Sequence, residues 1–265
     1  MRRNGKQLAM FSLLVLLLLG SSGCQLVDKL KARDQLNKGT TAYKGKRYDE
    51  AIKYFEEATR LDPDLIQADL YLATTYRTMY VPGSTTPDNE KNAKISIEKF
   101  EEVLKKDPKN ITAMASIART YSDLGDFDKA KQWYRKRLEA DPSNPEPLYG
   151  IGSTNFNLVY PKTGPTGELV KDMSGKEKEE MMRLVDEGID ALKKALEIKP
   201  EYSDAAQFLN LLYREKAKLS SDEAQKQQWL KEADKLALRA MEMKKKQQEE
   251  EEKQRKSMMP GKTGK

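Results

Sequence analysis

Residues 109–142 read KNITAMASIARTYSDLGDFDKAKQWYRKRLEADP and contain two helical patterns joined by a tight turn. In each pattern apolar or small side chains recur at spacings of three and four, which places them on one helix face. These side chains are Ala113, Ile117, Ala118 and Tyr121 in the first pattern, and Phe127, Ala130, Tyr134 and Leu138 in the second. Gly125 breaks the pattern at the turn, and Pro142 stops the second helix because proline disfavours helix in the residue before it. One such hairpin cannot cover its own apolar face, so it needs similar hairpins on both sides.

Four prolines serve as anchors for aligning the rest of the chain. They are Pro63, Pro108, Pro142 and Pro200. Eight residues before these prolines stand the bulky side chains Phe55, Phe100, Tyr134 and Leu192. Small or short side chains stand twelve residues before them, at Ala51, Ser96, Ala130 and Gly188, and ten residues after them, at Ala73, Ala118, Gly152 and Asn210. Small residues let neighbouring helices approach closely and bulky ones fill the space between them, so the agreement of these columns indicates an internal repeat.

The columns resemble the tetratricopeptide-repeat (TPR) family, whose unit is a helix–turn–helix of about 34 residues. Pro108 and Pro142 are 34 residues apart, which matches that unit. The resemblance implies an all-α fold, a right-handed α-solenoid of about five helix pairs. We expect the repeats at about 32–65, 66–110, 111–144, 145–202 and 203–245.

Two of the repeats are longer than the family's unit. Pro63 and Pro108 are 45 residues apart, and Pro142 and Pro200 are 58 apart. The surplus predicts irregular loops between the two helices of repeats two and four, within 80–92 and 158–174, around the Pro/Gly-rich runs 82–87 and 161–167. Insertions in a solenoid often map to its binding face. Tolerated surface loops explain them equally well, because lengthening a loop costs little.

Two capping-box patterns predict where helices begin after these irregular stretches. Ser174 is followed by Glu177, and Ser220 by Glu223. In such a box the hydroxyl and the carboxylate satisfy free backbone N–H groups at a helix start. We therefore expect the second insertion to end near Ser174 and a long helix to follow.

The first 23 residues have the organisation of a signal peptide. Arg2, Arg3 and Lys6 give a basic start, and residues 8–19 are apolar apart from Ser12. That apolar run is shorter than the ~20 residues needed to cross a bilayer. An uncleaved, slightly longer anchor is the alternative.

Cys24 directly follows this segment and is the only cysteine in the chain. The arrangement resembles the lipobox of bacterial lipoproteins, although Ser21 stands where that family favours leucine. The resemblance implies that Cys24 becomes a lipidated amino terminus and that residues 24–31 link it to the repeats. Because Gln25 is not aspartate, the family rule implies the outer membrane, facing the periplasm. Ordinary signal cleavage, which would give a secreted or periplasmic protein, is the alternative.

Composition excludes several classes of function. The net charge of +6 comes from the two ends of the chain, so the repeat body is neutral and gives no basic face for nucleic acid. There is no histidine, the usual general base and metal ligand. We expect no catalytic residue, no metal, no cofactor and no small-molecule substrate. The charged residues 246–265 predict a helical extension or, as we expect, a disordered tail.

In the TPR family, the first helix of each pair lines a concave groove, at set offsets from the preceding proline. Those offsets place Leu70, Thr74, Arg77, Arg119, Ser122, Tyr149, Ser153, Phe156, Gln207 and Arg214 in a partner-binding groove. The family's carboxylate clamp is not reproduced, because Leu36 replaces the cation beside Asn37. The lining suits a peptide with apolar and acidic side chains. Packing of Tyr149 and Phe156 against neighbouring helices is the alternative.

Together these features predict a non-catalytic scaffold or adaptor, anchored to a bacterial envelope and binding other envelope proteins or peptides. Anchoring raises the effective concentration of the groove for partners at the same membrane. The alternatives are a pilotin-like or secretion-system assembly lipoprotein and an accessory subunit of a cell-wall enzyme complex.

Overall fold

A computed structural model describes residues 25–258 of the 265-residue chain. Within that range all regular secondary structure is helical, which confirms the predicted all-α fold. The predicted signal peptide, Cys24 and the last seven residues lie outside the described residues. The chain divides into two compact units, Met1–Leu124 and Gly125–Lys265. None of the described helices combines the length and the apolar composition that a bilayer span requires.

The described part of the first unit contains five helices. They are 25–44 (α1), Tyr48–Leu61 (α2), Ile66–Met79 (α3), Pro87–Lys106 (α4) and Ile111–Asp123 (α5). From α2 onward each helix packs against the next, and α3 also contacts α5. Part of its core lies where α1, α2 and α3 meet, around the buried side chains of Leu36, Phe55 and Leu72. Residues 25–31, expected as a linker, belong to α1 instead.

The described part of the second unit also contains five α-helices. They are Phe127–Ala140 (α6), Pro145–Thr163 (α7), Gly175–Ile198 (α8), Ser203–Leu219 (α9) and Glu223–Met258 (α10). A short 3-10 helix, Val170–Asp172, lies between α7 and α8. Helices that are neighbours in sequence pack together, and α7 also contacts α9.

The anchor prolines set where four of the helices end. Each proline lies two residues after the last residue of α2, α4, α6 or α8. The residue between helix and proline has ψ of 85–90° at Asp62, Asp107, Asp141 and Lys199. This is the non-helical backbone that a following proline ring imposes. The prolines that align the repeats are therefore helix terminators.

The bulky column of the alignment fills the cores. Phe55, Phe100 and Leu192 are each at most 1% exposed, and Tyr134 is partly buried against the core of the second unit. The small column twelve residues before the prolines is buried beside them, at Ala51, Ser96, Ala130 and Gly188. The predicted alternation of bulk thus corresponds to side chains that lie inside the protein.

Polar side chains start most of the helices by accepting hydrogen bonds from free backbone N–H groups. The Ser174 hydroxyl accepts from the Glu177 N–H and the Glu177 carboxylate accepts from the Ser174 N–H, which confirms the predicted capping box. The box expected at Ser220 is wrong. The Asp222 carboxylate starts α10 instead, accepting from the N–H groups of Ala224 and Gln225 at 2.9 and 3.1 Å.

Three predicted boundaries need correction. The first insertion covers only 80–86, because Pro87 occupies the first position of α4, where a missing N–H costs nothing. The second begins at Gly164, because α7 continues through Pro161 to Thr163. The tail expected to be disordered from residue 246 is helical as far as Met258, so the alternative of a helical extension holds up to that residue. Lys/Glu pairs four residues apart support this part of the helix.

Candidate partner-binding surfaces

The predicted groove positions of the first unit lie on α3 and α5. They are Leu70, Thr74 and Arg77 on α3, and Arg119 and Ser122 on α5. The Arg77 guanidinium donates a hydrogen bond to the Asp123 carboxylate of α5 and lies 5.5 Å from the centre of the Tyr80 ring. The Tyr80 hydroxyl donates to the backbone oxygen of Asp123 at 3.2 Å. Arg77 therefore holds α3 against α5, whereas Arg119 is exposed.

The predicted positions of the second unit lie on α7 and α9. They are Tyr149, Ser153 and Phe156 on α7, and Gln207 and Arg214 on α9. Arg214 donates from Nε to the Asn210 side-chain oxygen at 3.0 Å, and from its terminal nitrogen to the Asp234 carboxylate of α10 at 2.6 Å. The Ser153 hydroxyl donates to the Gly150 carbonyl at 3.2 Å. Like Arg77, Arg214 links two helices through a carboxylate. Two of the three arginines that the sequence placed in the groove are therefore already paired within the protein.

Five aromatic rings form a continuous row along the contact between α7 and α9, which we call the aromatic seam. Its members in spatial order are Tyr202, Tyr149, Phe208, Phe156 and Tyr160. Successive ring centres are 5.3, 5.5, 5.7 and 5.3 Å apart, and both contacts of Phe208 are edge-to-face. These are the separations and angles at which aromatic pairs attract one another. The seam is therefore a packed surface rather than a set of isolated rings.

The seam stays partly open to solvent and has a cation at each end. Tyr160 is 40% exposed, and the other four rings are partly buried. The Lys199 ammonium lies 4.9 Å from the centre of the Tyr202 ring, and the Lys218 ammonium 5.2 Å from that of Tyr160. Burial raises the pKa of Tyr202 well above its usual value, and the charge of Glu146 acts in the same direction. The Tyr202 phenol is therefore protonated at neutral pH and can donate a hydrogen bond.

Within the second unit, the structure brings two of the predicted groove residues into one aromatic row. Tyr149 and Phe156 both lie in the seam, and both also pack against the neighbouring α9, so the packing alternative holds for each. The sequence reasoning missed Phe208, Tyr202 and Tyr160. The spacing of Tyr149, Phe156 and Tyr160, at seven and four residues, is a helical stripe that could have revealed the α7 half. Partner binding by these residues remains a prediction.

A charged network links α7, which carries three of the seam rings, to α6 and α8. The Glu187 carboxylate of α8 accepts hydrogen bonds from Lys131 and Arg135 of α6 and from Asn155 of α7, at 3.1 Å for Lys131 and 3.0 Å for Asn155. Burial alone would raise the pKa of Glu187, but the hydrogen bonds from Asn155, Lys131 and Arg135 outweigh it and lower the pKa. Glu187 is therefore charged at neutral pH and links three helices of the second unit.

Within residues 25–258, no cluster of three or more His, Cys, Asp or Glu side chains is arranged to hold a metal ion.

Comparison with known families identifies the repeats. Residues 32–65 and 90–149 each match a family model described as tetratricopeptide repeat. The chain therefore contains tetratricopeptide repeats, as its aligned columns indicated.

The curated relatives are longer proteins that share these repeats. Interferon-induced protein with tetratricopeptide repeats 2 of Mus musculus is 32% identical over 162 residues, which are 61% of this chain and 31% of that protein. Hsp70-Hsp90 organizing protein 3 of Arabidopsis thaliana is 27% identical over 124 residues, 47% of this chain and 20% of that protein. The match spans less than a third of either relative's length.

Several solved structures share the fold. The crystal structure of MamA protein aligns with a TM-score of 0.56 at 16% identity, covering 83% of this chain and 94% of that one. MamA 41-end from Desulfovibrio magneticus RS-1 aligns with a TM-score of 0.57 at 16% identity, covering 82% and 97%. The structure of YrrB, described as a TPR protein with an unusual peptide-binding site, aligns with a TM-score of 0.51 at 15% identity, covering 80% and 90%. At these identities the likeness concerns the fold alone.

Proposed function

We propose that this chain is a non-catalytic protein-interaction scaffold that binds partner peptides along the aromatic seam and is held at a bacterial envelope by lipidated Cys24. The TPR repeats support the general role. Proteins that share the repeats or the fold include Hsp70-Hsp90 organizing protein 3 and YrrB, whose structure is described as having an unusual peptide-binding site. The Cys24 segment, with its basic start and apolar run, supports the anchor.

The aromatic seam is the observation on which the binding role depends. Rings supply a large contact area at a small cost in side-chain entropy, and tyrosines add hydrogen-bonding tips. The partner is a peptide with apolar or aromatic side chains that lie against Phe156, Phe208 and Tyr160. An acidic group next to Tyr202 would meet the Lys199 ammonium, which lies over that ring.

Lipidation of Cys24 would hold the aromatic seam at the surface of a membrane. The described chain is helical from residue 25, which directly follows Cys24 in the sequence. Several acyl chains hold a protein on a bilayer far more firmly than one. The scaffold would then meet envelope partners at a raised effective concentration.

A peptide selection tests the binding role. Peptides selected from a random library on the purified chain would be measured against Phe156→Ala and Tyr160→Ala, with Trp133→Ala on α6 as the aromatic control outside the seam. We expect seam variants to weaken binding about tenfold or more, as truncated aromatic anchors do, and Trp133→Ala to bind as the wild type does. Equal loss in all three variants, or in none, would contradict the proposal.

Metabolic labelling tests the anchor separately. Cells expressing the full chain would be supplied with labelled palmitate and fractionated. We expect label and membrane association for the wild type and neither for Cys24→Ser. An unlabelled, soluble wild-type chain would overturn the anchor and leave the peptide-binding role standing.

A further inference from the structure

The second insertion is a folded element that creates a groove of its own. Its backbone leaves α7 at Gly164, whose φ is 77° and whose carbonyl accepts a hydrogen bond from the Lys218 ammonium of α9 at 2.8 Å. The Leu169 N–H donates to the Thr163 carbonyl at 3.3 Å. The Val170 side chain is buried in the core of the second unit. These contacts hold residues 164–174 in place beside the end of α7 and the start of α8.

The resulting cavity, which we call the insertion groove, has an apolar floor. Its volume is about 470 Å³, within the range of roughly 300–1,000 Å³ typical of ligand pockets. The floor is formed by Leu158, Leu169, Met173, Met181 and Leu184. Leu169 is 44% exposed although it is large and apolar. Methionine side chains are flexible and polarizable, so this floor can adapt to the shape of an occupant.

The rim of the insertion groove is mainly acidic. Asp172, Glu177 and Glu180 line it together with the single cation Lys162. The hydrogen bonds from Ser174 lower the pKa of Glu177, so this carboxylate keeps its charge at neutral pH. An apolar floor inside a rim of net negative charge complements a partner that is apolar in the middle and basic at its edges.

We propose that the insertion groove docks a basic amphipathic helix of a partner protein. Glu177, Met181 and Leu184 follow each other at four and three residues along α8, so they form one stripe along two helical turns. A helix laid along that stripe would place its apolar side chains on the floor and its Lys or Arg side chains against the acids, as in helix-in-groove recognition.

This surface is distinct from the aromatic seam. Leu158 and Lys162 each stand two residues from a seam residue of α7, namely Phe156 and Tyr160. Two residues correspond to about 200° around a helix, so the two sites use opposite sides of α7. The insertion in repeat four thereby supplies a second binding surface, which does not depend on the first.

Fluorescence anisotropy with designed peptides tests the docking. The probe is a labelled helical peptide with Leu at positions i, i+3, i+4 and i+7 and Lys elsewhere. One control peptide carries Glu in place of Lys. The other has the same composition as the probe, but its Leu residues are spaced so that they cannot lie on one face of a helix. On the wild-type chain we expect saturable binding of the Lys probe at least about tenfold tighter than of either control, which is a free-energy difference of about 1.4 kcal/mol.

Charge and apolar variants of the chain locate the site. Asp172→Lys with Glu180→Lys reverses two rim charges, and Glu179→Lys with Asp190→Lys makes the same change at exposed positions of α8 outside the groove. We expect the rim variant to bind the Lys probe about tenfold or more weakly and the control variant to change its affinity less than about twofold. Leu169→Ser, at an exposed position, should also weaken binding severalfold.

The outcomes are exclusive. Loss in the rim variant and in Leu169→Ser, with retention in the control variant and in Phe156→Ala, supports the insertion groove. Equal loss in rim and control variants would mean binding by general charge and would overturn the proposal. Equal affinity for the Lys probe and for the control peptide with altered Leu spacing would also overturn the proposal. So would a loss of probe binding that occurs only in Phe156→Ala. Circular dichroism of each variant checks that it is folded.

Discussion

The ring of Phe55 in α2 lies directly against the backbone of Gly39 in α1. A Cβ atom at Gly39 would come within 3.0 Å of three ring carbons, closer than real side chains approach. The same relationship joins Gly152 of α7 to Leu192 of α8, where a Cβ would lie less than 3.0 Å from three side-chain carbons. In both cases the bulky member stands eight residues before an anchor proline. Each of these glycines therefore provides space for the bulky residue of the other helix.

Gly39→Ala should destabilise the first unit. Alanine is a better helix former than glycine by about 1 kcal/mol, but the new methyl group forces the Phe55 ring or α1 to move, and such overpacking costs about 1–3 kcal/mol. We expect a lower midpoint in urea unfolding and a net loss of free energy of unfolding.

Gly175→Ala is the matched control, because a Cβ there meets nothing within 4 Å. It lies in α8 without a positive φ, so we expect no loss and a gain of up to about 1 kcal/mol. If both substitutions changed stability equally, the packing explanation of the glycine positions would be wrong.

A double-mutant cycle isolates the contact between Gly152 and Leu192. Gly152→Ala alone should destabilise through the clash, and Leu192→Ala alone through lost burial, by about 2–5 kcal/mol. In the Leu192→Ala background the added methyl group has room, so Gly152→Ala should cost little. We expect a coupling energy of about 1–3 kcal/mol, and strict additivity of the two losses would contradict a direct contact.

Glu187→Gln should weaken the second unit. It removes the carboxylate charge that faces the buried Lys131 and the guanidinium of Arg135. Because the Glu187 side chain is 33% exposed, water screens part of the loss, and we expect about 1–3 kcal/mol. Thermal unfolding of Glu187→Gln measures this loss of stability, with Glu179→Gln, at an exposed position of the same helix, as the control. A shift no larger than in the control would mean that the network adds nothing.

The contribution of Glu187 should disappear in acid. Its pKa is lower in the folded protein than in the unfolded chain, so its stabilisation is present above the unfolded pKa and is lost as the pH falls through the folded pKa. Urea unfolding of wild type and Glu187→Gln across pH 7 to about pH 3 should therefore converge at the acid end. A difference independent of pH would show that the charge is not the cause.

Asn89 should hold the first insertion in its observed conformation. Its side chain, 6% exposed, accepts from the Val81 N–H at 2.6 Å and donates to the carbonyls of Val81 and Ser84 at 2.9 and 2.8 Å. Asn89→Ala should speed hydrogen exchange across 80–86 and cost about 1–3 kcal/mol, because partly buried backbone groups of Val81 and Ser84 lose their hydrogen-bond partner. Asn92→Ala, one turn further along α4, is the control. Unchanged exchange at Val81 would show that another contact orders the loop.

The sequence could predict the helices because their ends are determined locally. A proline two residues after a helix, a glycine with φ of 76° at position 125 and the Ser174 capping box each act within a few residues. The same local reasoning failed at Ser220, where Asp222, two residues on, caps the helix through one carboxylate oxygen that accepts two hydrogen bonds.

The sites could be predicted only in part, because they depend on partners far away in the chain. Arg77 and Asp123 are 46 residues apart, and Arg214 and Asp234 are 20 apart, so neither ion pair is visible in a repeat alignment. The ring of Phe208 joins the seam only because α9 packs against α7. The fold of the second insertion likewise depends on contacts made by Lys218 and Val170. A rule based on the Pro and Gly content of a loop cannot predict such contacts.

Site-specific crosslinking in living cells tests the central claim most directly. A photo-reactive amino acid would replace Gln207, which is exposed on the seam-bearing helix α9, and Lys194, exposed on α8, in otherwise identical full-length chains. We predict that position 207 captures a defined partner protein, that Phe156→Ala abolishes this capture, and that position 194 does not capture the same partner. Equal capture from both positions, or capture at 207 that survives Phe156→Ala, would contradict the assignment of the aromatic seam as the binding surface.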